Sequence, residues 1–282
     1  MKRTLVALSL TLIFSLAMMP SMKKAHAEDS FLKVPVGISY SSTYWWRGVE
    51  LNGKGVGVIW PSAGLEFGDT GLSLSVAAGI NEDYLVVNET GEPTEAKVYH
   101  EFDYGLAYSV STGILSVDLG VMYIHYPFYD EADDSSTDPP STDPSFVEGS
   151  LGLGLDIPLS PALEVYYDYY VKESNEDTPQ NEDYYVKFSI GHDLVSTDSF
   201  TFSMGAWGAY YNNAYFDAKG FSDAGVSLGT SSIYEGVEFT SAVYYARTLD
   251  SDFEATYDLD DDTRPSALRN HLWAEFGVAT TF

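Results

Sequence analysis

Residues 71–81 read Gly-Leu-Ser-Leu-Ser-Val-Ala-Ala-Gly-Ile-Asn. Leu72, Leu74, Val76, Ala78 and Ile80 fall on one parity, and Ser73, Ser75, Ala77, Gly79 and Asn81 on the other. Successive side chains of an extended chain point to opposite faces, so this stretch presents one apolar face and one face of small polar residues. The same alternation recurs outward in both directions. Val147, Leu151, Leu153, Leu155 and Ile157 oppose Glu148, Ser150, Gly152, Gly154 and Asp156, and Phe200, Phe202, Met204, Ala206 and Tyr210 oppose Thr201, Ser203, Gly205, Trp207 and Ala209. At the end of the chain Leu272, Ala274, Phe276, Val278 and Phe282 oppose His271, Trp273, Glu275, Gly277 and Thr281. Beyond residue 27 no helix-period stretch of useful length interrupts the pattern.

Twelve such segments can be drawn: 33–47, 56–67, 71–81, 96–110, 114–127, 145–157, 162–173, 183–194, 199–211, 221–231, 236–247 and 269–282. Alternation is weakest around Trp60-Pro61 and over 221–235. Connections after even-numbered segments are tight, as at Gly68-Asp69-Thr70 and Ser111-Thr112-Gly113. Those after odd-numbered segments are mostly long, with about 17 residues at 128–144 and about 21 at 248–268. Long and short connections in strict alternation are the mark of an all-β, up-and-down antiparallel transmembrane β-barrel of about 12 strands, with short periplasmic turns and longer outside loops. A soluble β-sandwich shares the period but not the regular connections, nor a polar parity that mixes Gly and Ser with charges. An even strand number puts both ends of the barrel on the periplasmic side. Tyr44, Trp46, Tyr84, Tyr99, His100, Tyr123, Tyr126, Phe128, Tyr129, Tyr184, Tyr210 and Tyr215 gather toward the long-loop side, where an aromatic girdle would meet headgroups.

Composition narrows the function classes. The chain has 282 residues with 42 acidic against 14 basic side chains, and this surplus of acid repels nucleic-acid phosphate. Its 45% hydrophobic content excludes a disordered polyelectrolyte, and the absence of cysteine excludes disulfides, thiol nucleophiles and thiolate metal sites. Met1-Lys2-Arg3, the apolar run Thr4 to Met19 and the small-x-small site Ala25-His26-Ala27 predict a signal peptide over 1–27 and a single barrel domain over 28–282. The apolar run is too short to span a bilayer and ends at Pro20. Cleavage after Ala27 would leave ten bases against 42 acids, a formal charge of -32.

Ser42-x-Tyr44-x-x-Arg47-Gly48, followed by a polar turn and a Gly-alternating strand, resembles the first hairpin of the TorF-like porin family, with Gly64, Leu72 and Gly79 as further matching positions, and Phe282 supplies the aromatic C-terminus common to bacterial outer-membrane proteins. The likeness spans Val36 to Ile80, and departs from the family at Asn52-Gly53-Lys54-Gly55. The likeness implies an outer-membrane channel, the aromatic last strand resembles the end that outer-membrane proteins present to the barrel assembly machinery, and the barrel reading implies contact with lipid and lipopolysaccharide.

With the apolar parity facing lipid, the inward parity carries twelve acids (Glu66, Glu101, Asp103, Asp118, Glu148, Asp156, Glu164, Asp168, Asp193, Asp223, Glu238 and Glu275) against Lys33, Arg47, Lys97, Lys172 and Lys187. A wet lumen with that balance favours cations. The pore-lining candidates are Arg47, Glu66, Lys97, Glu101, Asp103, Asp118, Lys172 and Glu275. Arg47, at the outer end of the first strand, is expected to pair across the lumen with Glu66, Glu101 or Glu275 and either set a constriction or brace the wall. Trp45, Tyr166, Tyr170, Tyr185, Trp207, Tyr211, Tyr244 and Trp273 also point inward, where they would fill the lumen or line a path for sugars.

The sequence implies no cofactor. Its acidic loops, with Asp130, Glu131, Asp133 and Asp134 in one and Asp258, Asp260, Asp261 and Asp262 in another, suit loosely bound Ca²⁺ or Mg²⁺, yet lack an EF-hand pattern. Enzyme chemistry finds little support. His100 and His125 have no serine one or two residues away, His192-Asp193 falls at the periplasmic end, and His271 stands only beside Trp273 and Glu275. The reading that follows is a passive outer-membrane channel, monomeric or a small oligomer, for small uncharged or cationic solutes. Its competitor is a closed structural or adhesive barrel whose acidic loops hold divalent ions, lipopolysaccharide or a partner.

Overall fold

The structure, a computed structural model, describes residues 31–50, 57–81, 100–127, 145–170, 183–213, 218–250 and 270–282. The leader expected over 1–27 and most of the long connections lie outside the described residues.

The strands in chain order are β1 (Leu32–Lys33), β2 (Pro35–Ser41), β3 (Trp45–Trp46), β4 (Val49–Glu50), β5 (Val58–Phe67), β6 (Leu72–Asn81), β7 (His100–Thr112), β8 (Leu115–His125), β9 (Phe146–Leu155), β10 (Ala162–Tyr170), β11 (Asp183–Ser196), β12 (Phe200–Asn213), β13 (Ala218–Tyr234), β14 (Val237–Thr248) and β15 (Asn270–Thr281). Strands β5 to β15 each pair antiparallel with their sequence neighbours, and β2 closes the ring by pairing with β5 on one side and β15 on the other. Twelve strands thus form a closed antiparallel barrel, and the two-residue β1 adds a short extra pairing to β5. Closure removes the unpaired edges that an open sheet would expose.

The alternation reads out as expected. Leu72, Leu74, Val76 and Ile80 are exposed on the outer surface of β6, as are Leu119 and Val121 on β8, Val226 and Leu228 on β13, and Val243 and Tyr245 on β14. So continuous an apolar outer band is what a barrel buries in hydrocarbon. No helix among the described residues is long and apolar enough to cross a membrane. The tight turns all fall at the end of the barrel where Val34 and Phe282 exchange backbone hydrogen bonds of 2.9 and 3.1 Å. The register of β5 against β6 is the same on both sides of Trp60-Pro61, since Ile59 faces Ile80 and Ser62 faces Ala77; only the ladder contacts between them are missing, as a proline without an N–H would cause. The other stretch of weak alternation, 221–235, falls on the 17-residue β13 up to Tyr234, where the register against β12 shifts between Gly220 and Asp223 and leaves Ser222 and Asp223 both buried.

One segment departs from expectation. The stretch 33–47 is not one barrel strand: the wall ends at Ser41, and Trp45–Glu50 turns away as a separate two-stranded hairpin, β3–β4. Arg47 and Gly48 form its two-residue tip with φ of +47° and +93°. Both central residues at positive φ is the geometry that matches hairpin twist, and it favours Asn-Gly; here arginine takes the first place and glycine the second.

Candidate functional site

The β3–β4 hairpin packs inside the barrel against strands on every side. Trp45 stacks on Trp273 of β15, with ring centroids 5.4 Å apart, and lies 4.2 Å from the His271 ring. Trp46 meets Phe146 of β9 edge to face. Tyr44, just before the hairpin, packs on Trp60 of β5 and donates its hydroxyl to Glu101 of β7 at 2.8 and 3.0 Å. At the tip, Gly48 lies against Ser222 and Asp223 of β13, and its carbonyl accepts from Thr248 Oγ1 of β14 at 3.1 Å. A Cβ on Gly48 would stand 3.0 Å from Asp223 Oδ1, so both its φ and its surroundings require glycine.

Arg47 fastens the tip to the wall. Its guanidinium donates to Asp168 of β10, through Nη1 at 2.5 Å and Nη2 at 3.2 Å, and to Glu148 of β9 through Nη2. The rings of Trp46, Tyr166, Tyr185 and Tyr211 surround its Cζ at 4.5 to 5.6 Å. A planar cation with five donors suits this position, since it answers two carboxylates in its plane and stacks aromatics on its faces. Glu66, Glu101 and Glu275, which the sequence offers as its partners, are not bonded to Arg47. Glu66 is exposed at the tight-turn end, in register with Lys33. Glu101 accepts from Tyr44 and Tyr126, and Glu275 accepts from Trp273 Nε1 at 3.0 Å. The reason is the hairpin: folding inward carries Arg47 away from its own strand and across to β9 and β10.

Most of the remaining acids of this half are satisfied by neutral donors. Asp223 accepts from Tyr185 Oη, Trp207 Nε1 and Ser222 Oγ at 3.3, 2.7 and 2.8 Å. Tyrosine and indole donors complete a carboxylate's hydrogen bonds without cancelling its charge. Among the described residues the buried charged groups of the barrel are Arg47 against Glu101, Asp103, Asp118, Glu148, Asp168, Asp183, Asp223 and Glu275.

Toward the tight-turn end the wall opens. Along the inward face of β11, Asp183 and Tyr185 are buried, Lys187, Ser189 and Gly191 half-buried, and Asp193 exposed. The side chains there are small: Gly105, Ala107 and Ser109 on β7, Ser203 and Gly205 on β12, Ser227 and Gly229 on β13. Lys187 and Glu164 pair across β10 and β11 at 3.1 Å in this wetter zone. The lumen therefore has two halves, a packed outer one around the hairpin and a roomier one lined by glycine, serine and alanine.

Of the pore-lining candidates, Arg47, Glu101, Asp103 and Glu275 come together in the packed half, Asp118 lies on β8 closer to the tight-turn end, and Glu66 lies apart. Lys97 and Lys172 fall outside the described residues. Tyr44, Trp46 and Tyr126, expected in the lipid-facing girdle, point into the lumen instead; Trp46 belongs to the hairpin, and Glu101 accepts from Tyr44 and from Tyr126, each at 2.8 Å. Tyr184 and Tyr210 do stack side by side on the outer face. Sequence reasoning placed Glu148, Asp168 and Asp223 on the inner wall but not with Arg47 or Gly48. The available signal was Arg47-Gly48 flanked by Trp45-Trp46 and Val49-Glu50, a two-residue turn ending in glycine.

The histidine test also changes in space. Ser145 Oγ lies 3.2 Å from His125 Nδ1, although 20 residues separate them. That oxygen already accepts the Tyr126 N–H at 3.1 Å, and the same Nδ1 faces Tyr123 Oη at 3.3 Å. The contact ties β8 to the residue that precedes β9.

A closed ring, an apolar outer face and a charged inner wall define a transmembrane β-barrel, here with an inward hairpin occupying part of its lumen. No protein-family model matches the chain, and no curated protein does. Several solved structures are similar to it. The NanC porin is 11% identical with a TM-score of 0.47 over 88% of this chain and 98% of that one. LpxR from Salmonella typhimurium is 10% identical with a TM-score of 0.46, over 89% and 100%. An outer-membrane channel from Pseudomonas putida F1 is 9% identical with a TM-score of 0.46, over 93% and 100%.

Proposed function

We propose that this chain resides in the bacterial outer membrane and acts there as a passive, cation-preferring channel for small uncharged or cationic solutes. The observation that carries the reading is the split lumen: a small-residue vestibule leads to a constriction whose acids are met mainly by uncharged donors. Such a wall presents a negative field to anything passing it, and water-filled paths through it favour cations. The aromatic last strand suits delivery by the barrel assembly machinery, the exposed apolar band suits lipid and lipopolysaccharide, and the Ser42 to Gly48 motif supports kinship with the TorF-like porins.

The hairpin also favours a second reading, a closed structural or adhesive barrel, because Trp45, Trp46 and Arg47 pack against the wall on several sides. Planar-bilayer recording of the refolded chain separates the two. Discrete steps whose reversal potential in a KCl gradient lies on the cation side support the channel; a silent, correctly folded barrel supports the closed form.

A further inference from the structure

Among the described residues one buried carboxylate of the proposed channel is met by neither a neutral donor nor a base. Asp103, on the inward face of β7, is 1% exposed, and neither of its oxygens has a hydrogen-bond partner. It faces Glu101, two residues along the same face, and Glu148 beyond it. Glu101 is held by the hydroxyls of Tyr44 and Tyr126, and Glu148 by Arg47, the buried base of this half among the described residues. Among the described residues Asp103 meets only the Glu101 carboxyl, with no neutral donor and no counter-ion. Leaving a buried carboxylate so is costly, and a cation between two adjacent carboxylates removes that cost. Access exists in the fold, since the next inward positions on β7 toward the vestibule are Gly105 and Ala107.

We propose that Asp103 and Glu101 form a cation site in the constriction that takes a hard, oxygen-seeking divalent ion of the Ca²⁺ type, and that this is the step at which the channel selects for cations. The proposal rests on the channel reading for its role but not for its existence. Two neighbouring carboxylates balance two positive charges, and oxygen-only ligation is the preference of such ions. No three His, Cys, Asp or Glu side chains among the described residues converge as a metal cage, so water completes the shell and binding is weak and exchangeable, as passage requires.

The test is terbium luminescence, sensitised by neighbouring tyrosine, on the refolded full chain in detergent, with Asp103→Asn and Glu101→Gln each confirmed as folded by heat-modifiable migration. The acidic loops contribute a background common to all three proteins. We expect wild type to show a saturable component displaced by millimolar Ca²⁺, and both variants to bind about tenfold more weakly or lose it. Equal titrations in all three proteins overturn the site, because they leave Asp103 to a shared proton with Glu101. Displacement by K⁺ at the same concentration as Ca²⁺ overturns the divalent assignment. The readout needs no conduction. A silent barrel that loses its terbium component in Asp103→Asn overturns the channel and keeps the site, whereas a cation-preferring channel with identical variants does the reverse.

Discussion

Glu148 of β9 and Asp168 of β10 stand directly opposite each other in register, and Asp168 in turn faces Asp183 of β11. Like charges in facing positions destabilise a sheet. Arg47 resolves the first pair by donating to both members, from a hairpin whose tip it holds at positive φ. Arg47→Ala therefore leaves Glu148 and Asp168 buried without their shared cation. We expect a loss of about 3–5 kcal/mol in detergent unfolding followed by gel migration, together with larger single-channel conductance. Adding Glu148→Gln and Asp168→Asn to Arg47→Ala should restore much of the stability but not the small conductance, because the hairpin stays unfastened. Recovery of both would show that Arg47 only braces the wall.

Gly48→Ala tests the hairpin without altering charge. The alanine must adopt φ near +93° and push against Asp223 and Ser222, so the tip should lift from β13. The expected cost is about 1–2 kcal/mol, from the left-handed conformation and the contact. Conductance should rise while ion preference changes little. An unchanged conductance would mean that the hairpin does not limit the path.

The fold was legible in the sequence because lipid outside and water inside impose a period of two on every strand, and Leu72 to Ile80 display it with almost no exception. Strand count, turn ends and closure follow from that period and from loop lengths. The site was only half legible. Parity assigned Glu101, Asp103, Glu148, Asp168 and Asp223 to the inner wall, but parity describes a wall and says nothing of what folds across it. Trp45 and Trp46 continue the apolar pattern of the first strand, so the departure at Ser41 leaves no trace in alternation. The partners of Arg47 are more than 100 residues away in sequence, and only the shear of the closed barrel decides which strands the tip reaches.

Gly225 and Gly229 face the lumen from the same strand yet should respond differently to alanine. The Trp207 indole lies over Gly225, where a Cβ would overlap the ring, while a Cβ on Gly229 stands 3.3 Å from Ser203 Oγ. Trp207 is fixed by its 2.7 Å bond to Asp223 and by packing against Tyr244 and Trp273, so it cannot give way without loosening that cluster. Gly225→Ala should lower the unfolding midpoint in detergent by an amount equivalent to about 1–3 kcal/mol, and Gly229→Ala by much less. Equal effects would mean that the indole cluster is free to shift.

Lys187 and Glu164 provide the most direct probe of the proposed selectivity. They face each other in register on β11 and β10, in the half-buried zone between the constriction and the vestibule. Lys187→Gln removes a base from a wall already dominated by acids, and Glu164→Gln removes the acid from the same place. Neither should shift stability by more than about 1 kcal/mol, as is usual for an ion pair that water still reaches. Their effects on permeation should be opposite. The reversal potential in a KCl gradient should move toward stronger cation preference in Lys187→Gln and toward weaker preference in Glu164→Gln, both shifts shrinking as salt is raised and screening grows. Shifts of the same sign, or none at low salt, would place the ion path away from this pair and remove wall charge as the source of selectivity.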